Sequence, residues 1–277
     1  MATITTGVSP LQSKVKESPA NSTVVGLALS GSHAFACGYH GLYVYDMSNP
    51  AAPTVLSKVK ESPNKGGGGV GLALSGSHAF ACGYHGLYVY DVSNPAAPTV
   101  LSKIKESPVN GGGFVGLALS GSHVFACGYH GLYVYDMSNP AAPTVLSKVK
   151  ESPIQNGGGV GLALSGSHVF ACGYHGLYVY DMSNPAAPTV LSKVKESPVN
   201  GGGFVGLTPS GSHMFACGYH GLYVYDMSNP AAPTVLSKVK ESPVGTGRDV
   251  GLALSGSHAF ACGYHGLYVY DMSNPVV

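Results

Sequence analysis

Residues 37–46 read CGYHGLYVYD, and the same ten letters return at residues 82, 127, 172, 217 and 262, always 45 residues on. A chain that repeats its pattern at this interval folds as a series of one supersecondary unit, because a single unit cannot bury its own apolar face. Two kinds of architecture use this period: helical pairs of the HEAT or armadillo type, and β-propeller blades. The choice between them lies inside the unit.

No helical periodicity is present there. The second copy contains four strand-like runs, VGLALS (70–75), HAFACGY (78–84), GLYVYD (86–91) and TVLSKIKE (99–106), named A to D. Turn residues separate them: SGS around Gly76 between A and B, Tyr84-His85-Gly86 between B and C, and SNPAAP between C and D. Proline cannot donate to a ladder, so SNPAAP marks a loop beside a sheet edge. A longer Gly-rich loop beginning at ESP leads from D to the next A. Four antiparallel strands per unit and six units predict an all-β fold, a single six-bladed β-propeller over residues 1–277.

The ends of the chain carry a further expectation. The last copy stops after strand C, and LQSKVKES at 11–18 matches strand D. The N-terminal segment is expected to pair as the outermost strand of the last blade, whose A, B and C runs lie at 250–271, and so to close the ring. The lysines of strand D, Lys58 and Lys60 in the first blade, protect that outer edge from pairing with other chains.

The stretch GLYVYDMSNPAAP, preceded by LSGSHAFACG, resembles the LVIVD-repeat family of β-propellers, whose units carry GL-x-V-x-D-x-SNP-x-x-P after an aromatic-rich strand. The resemblance covers essentially the whole chain, once per blade. His33 stands where the family has an aromatic residue, and Cys37 where a polar or acidic residue is common. The resemblance implies a propeller, and a mostly bacterial or archaeal, often surface-associated kind of protein.

Composition narrows the partners. Only 10% of residues are charged, the net charge is +1, and Arg248 is the only arginine. Nucleic-acid binding through phosphate neutralisation is therefore not expected. No apolar run approaches the roughly 18 residues that span a membrane. The start, MATITTGVSPLQ, lacks the basic and apolar regions of a secretory signal, so a cytoplasmic protein or one released by a non-classical route is expected.

Each blade contains H-x3-C-x2-H, in the first His33, Cys37 and His40. On a strand, residues four apart are roughly 13 Å apart, while zinc ligands sit about 2.0–2.3 Å from the ion. No metal site and no cofactor is expected within a blade, and metal binding across blades stands only as an alternative. Cys37, Cys82, Cys127, Cys172, Cys217 and Cys262 are symmetry mates on separate blades, too far apart for the roughly 7 Å Cα separation a disulfide tolerates. They are expected to be free, buried and apolar in character. Asp46, Ser48 and Asn49 are expected to bond local backbone amides before Pro50. NKGGGGV at 64–70 lacks the Gly-Lys-Ser/Thr ending and leads into a strand, which rejects a phosphate-binding P-loop.

The D–A loops are the least uniform part of the repeat, and strand alternation puts them on the same face as the B–C turns. The candidate binding residues are therefore Tyr39, His40, Tyr84, His85, Tyr129, His130, Tyr174, His175, Tyr219, His220, Tyr264 and His265, with Asn110, Asn156, Asn200, Arg248 and Asp249 from the loops. Six copies of one environment favour multivalent binding over catalysis, which needs unlike groups converging on one point. The expectation is a non-enzymatic, lectin-like propeller for a carbohydrate or glycoconjugate. The rival is a structural or surface scaffold that self-associates through its faces or rim.

Overall fold

The computed structural model describes residues 13–20, 25–65, 68–109, 115–154, 158–199, 205–244 and 250–274. Blade 1 consists of strand A (Gly26–Ser30), B (His33–Gly38), C (Gly41–Asp46) and D (Thr54–Val59), antiparallel and hydrogen-bonded in that order. The same four-stranded sheet recurs at 71–104, 116–149, 161–194 and 206–239 as blades 2 to 5. Blade 6 has A (Gly251–Ser255), B (His258–Gly263) and C (Gly266–Asp271). Strand C has the expected bounds, while A, B and D each end within two residues of them. Neighbouring A strands touch one another and line the inside of the array.

Period-2 alternation explains how blades stack. In blade 2, Phe80, Cys82, Leu87 and Val89 point to one side and meet Val124, Ala126, Tyr135 and Met137 of blade 3. Ala79, Ala81, Tyr90 and Val92 point to the other side and receive Phe35, Cys37, Leu42 and Val44 of blade 1. Small alanines on one face thus accept bulky side chains from the other. Leu42, Leu87, Leu132, Leu177 and Leu222 have no exposed surface, and burying each contributes about 1.5–3 kcal/mol. Both sides of the sheet are core, so strands B and C read as nearly continuous apolar runs.

Strand D is the outer edge. Its pairing with C shifts register between Val44 and Tyr45, which leaves Leu56 as the extra residue of a β-bulge and 37% exposed. Lys58 lies over the ring of Tyr43, 5.2 Å from its centroid, and bridges Glu17. The same arrangement joins Lys103, Lys148, Lys193 and Lys238 to Glu61, Glu106, Glu151 and Glu196 of the preceding blade. The Asp-Ser-Asn turn forms as expected: Ser48 N–H donates to Asp46 Oδ1 at 2.8 Å, and Ala51 N–H to Asn49 Oδ1 at 3.1 Å. The hydrogen bonds from Ser48 hold the Asp46 carboxyl below its ordinary range.

Two expectations meet a different arrangement. Residues 11 and 12 lie outside the described residues, and residues 13–20 form irregular chain rather than a strand on blade 6, whose sheet has three strands. The segment rests on blade 1 instead, because its contacts there are those that each D strand and ESP turn makes with the following blade. Tyr45 Oη donates to the Glu17 carbonyl, as Tyr90 does to Glu61, and His40 N–H donates to the Pro19 carbonyl, as His85 does to Pro63. The second difference is Cys262. All six cysteines are free and five are buried, but Cys262 is exposed, because no following blade covers it in this arrangement.

Candidate functional site

The Tyr-His-Gly turn between strands B and C is shaped by its glycine. Gly131 has φ +112°, and a Cβ there would stand 1.9 Å from the Val149 carbonyl oxygen. The turn is pinned from both sides by ESP segments. His130 N–H donates to the carbonyl of Pro108 on the preceding blade at 2.6 Å. Ser152 Oγ, from the blade's own ESP segment, donates to the Gly128 carbonyl at 2.7 Å. B–C turns and D–A loops therefore share one face, as the strand alternation predicts.

At successive junctions on that face lie clefts. Between blades 3 and 4, Tyr129, His130, Tyr133, Lys150, Ser152 and His175 line a cleft of about 690 Å³. Across blades 4 to 6 a continuous groove of about 850 Å³ is walled by Tyr174, Lys195, Tyr219, His220, Tyr223 and His265. A smaller counterpart of about 190 Å³ at the first junction holds Glu61, Ser62, Lys65, His85 and Tyr88. Within each turn the tyrosine and histidine rings pack edge to face or tilted, with centroids 5.0 Å apart for Tyr129–His130 and 5.1 Å for Tyr219–His220.

The turn residues Tyr129, His130, Tyr174, His175, Tyr219, His220, His265 and His85 thus come together with neighbouring-blade residues in these clefts. Tyr39 and His40 pack on one another at the first blade, Tyr84 stands 38% exposed beside His85, and Tyr264 is 67% exposed on blade 6. Asn110, Asn156, Asn200, Arg248 and Asp249 lie outside the described residues. Sequence reasoning missed the floor of the cleft: Tyr133, Tyr223, Lys150, Lys195, Lys240, Ser152 and Ser242. The signal was present. Tyr133 pairs with Lys148 in register, and Lys150, two residues on, projects to the same side.

No three His, Cys, Asp or Glu side chains gather around a point that could hold an ion among the described residues. His33 packs on Phe35 at 6.4 Å between ring centroids, on the blade edge opposite the clefts. The clefts offer aromatic faces, hydroxyl groups, imidazoles and an ammonium group at each lining, an assortment that suits a polar ligand with some apolar surface.

Comparison with known proteins follows the repeat. The LVIVD repeat matches residues 23–61, 66–105, 111–151, 157–196 and 214–241. No curated protein matches the chain significantly. Among solved structures, a protein from Lactobacillus plantarum superposes with TM-score 0.69 at 16% identity, over 88% of this chain and 79% of that one. The periplasmic gluconolactonase PpgL of Pseudomonas aeruginosa gives TM-score 0.69 at 16% identity, over 95% and 84%. The WD40 domain of SCAP from fission yeast gives 0.54 at 14%, over 91% and 71%. At these identities the likeness is one of fold.

One expectation is corrected here. Near six-fold repetition points in the sequence to a non-enzymatic protein, yet a protein that shares this architecture over 95% of the chain is named a gluconolactonase. A propeller carries unlike groups on loops that differ between blades, so regular strands do not exclude catalysis. That expectation falls, and the 16% likeness assigns no reaction in its place.

Proposed function

The chain belongs to the LVIVD-repeat family, and from the clefts this repeat builds between blades we propose that the protein binds carbohydrate at several equivalent sites on one face. The observation that carries the reading is the recurrence of one wall. A tyrosine ring, an imidazole, a serine hydroxyl and a lysine line the cleft at the third junction and again in the groove across blades 4 to 6. Sugar rings present C–H faces that stack on tyrosine, and hydroxyls that exchange hydrogen bonds with imidazole, serine and lysine. Each site is expected to bind weakly by itself, being open to solvent on one face. Repetition on one rigid frame converts weak sites into avidity for a repetitive glycan.

The test is a glycan array, followed by calorimetry on the best ligand. Replacing His130 alone by alanine is expected to remove about one site and barely change avidity. Replacing His40, His85, His130, His175, His220 and His265 together is expected to abolish binding while circular dichroism stays unchanged. Full-strength binding by the six-fold variant would move the site elsewhere. Absence of any glycan ligand would remove the reading.

A second reading has one observation in its favour. Leu56, Leu101 and Leu191 stand 36–37% exposed on the outer strands, which suits a scaffold assembling through its rim. Replacing the three by serine would then lower the assembled mass in light scattering.

A further inference from the structure

The net charge of +1 is the balance of two unlike faces. Strand C of every blade ends on an aspartate. In blade 3 that residue, Asp136, pairs in register with His123 at the edge away from the clefts. Strand D runs back the other way and brings two lysines and a glutamate to the cleft edge, Lys148, Lys150 and Glu151 in blade 3. Lys148 bridges Glu106 of the preceding blade, and Glu151 is bridged by Lys193 of the following one. Lys150 is left over: it is exposed and forms no ion pair among the described residues. Lys60, Lys105, Lys195 and Lys240 stand in the same position in their own blades.

The clefts collect these spare cations. Between blades 3 and 4, Lys150 lies in the same lining as Tyr129, His130 and Ser152, and no carboxylate lines that cleft. The groove across blades 4 to 6 holds both Lys195 and Lys240, and its one carboxylate, Glu196, is already bridged by Lys238. A concave site lined by one sign of charge focuses its field on the ligand, whatever the charge of the whole molecule.

On the carbohydrate reading, and resting on it, we propose that the sugar is acidic: a glycan carrying carboxylate or sulfate groups, each paired with the unbridged lysine of a blade while the tyrosine takes the ring face. A charge-assisted bond from ammonium to an anion is roughly twice as strong as a bond between neutral groups, so the lysine favours a charged substituent over a hydroxyl. Lysine is a point charge and does not choose between planar carboxylate and tetrahedral sulfate. The spare lysines come one to a blade, each beside an aromatic turn, and not as the basic stripe that follows a nucleic-acid backbone.

Calorimetry on the full chain tests this with polygalacturonate, dextran sulfate and uncharged dextran, and with polyglutamate and a single-stranded oligonucleotide as anions that are not polysaccharides. At least one acidic polysaccharide is expected to bind about tenfold or more tightly than dextran, and the tighter of the two identifies the anion. The advantage should shrink with salt, as the screening length falls from about 30 Å at 0.01 M to about 3 Å at 1 M. Replacing Lys60, Lys105, Lys150, Lys195 and Lys240 together by glutamine should remove it with circular dichroism unchanged. Dextran bound as tightly as the acidic polymers, without salt dependence, overturns the inference and leaves the carbohydrate reading standing. Absence of binding to every polysaccharide overturns both. Polyglutamate or the oligonucleotide bound as tightly as the acidic polysaccharides overturns the inference, since charge alone is then read. So does a folded five-fold variant that keeps the full advantage.

Discussion

The thiol of Cys37 lies 3.9 Å from the phenol oxygen of Tyr90, across the boundary between blades 1 and 2. The phenol proton is already given to the Glu61 carbonyl at 2.8 Å, so the thiol donates to the phenol oxygen. Burial pushes the thiols of Cys37, Cys82, Cys127 and Cys172 up to about 12, the tyrosine bond pulling slightly the other way. Desolvation likewise holds Tyr90 well above the ordinary phenol range.

Removing one hydroxyl tests the weight of this junction. Tyr135→Phe deletes the 2.9 Å bond to the Glu106 carbonyl and removes the phenol from the Cys82 thiol. A loss of about 1–3 kcal/mol is expected, read from the urea midpoint at constant m-value. No change would mean that water satisfies the carbonyl.

Glycines at two turns should respond differently. Gly131→Ala places a Cβ 1.9 Å from the Val149 oxygen in a backbone with φ +112°, and the blade must distort. Gly121→Ala, at φ +55° with open space around it, should cost only about 1–2 kcal/mol of left-handed strain. Comparison of thermal midpoints decides, with Gly131→Ala expected to be far the worse.

Alkaline pH should unfold the protein. The folded thiols titrate near 12 and the unfolded ones near 9. Between these values the unfolded chain holds fewer protons than the folded one, so stability falls as pH rises. It is fully present below about pH 9 and lost progressively toward 12. Denaturation curves at pH 8, 9.5 and 11 check this, and Cys127→Ala should flatten the dependence.

The interblade ion pairs should matter little. Lys148 and Glu106 remain 41% and 54% exposed, where such a pair contributes about 0–1 kcal/mol. Glu106→Gln is expected to shift the urea midpoint barely, and less in high salt. A large loss would mean that the Lys148 stack on Tyr133 depends on that carboxylate.

The repeat made most of the fold legible. A 45-residue period with four strand runs admits few architectures, and the C run GLYVYD is a strand in all six blades. The Asp46 and Asn49 turn bonds were equally readable, because they are local. The cleft was half readable. His130 and Tyr129 sit in a turn whose face follows from strand parity. Lys150 and Ser152 reach the same space from the far side of the sheet through C–D register, and that register contains a bulge that parity alone does not reveal.

Sequence by itself determined the strands, their order within a blade and the two-sided apolar alternation, since all of these are set by neighbours within one repeat. Tertiary structure alone decided which blade faces are covered. Cys217 and Cys262 occupy the same ten-residue context, yet one is buried and the other exposed. The difference lies in whether another blade packs on the face, and packing between blades depends on surfaces brought together across the whole chain, to which identical letters give identical propensity but not identical neighbours.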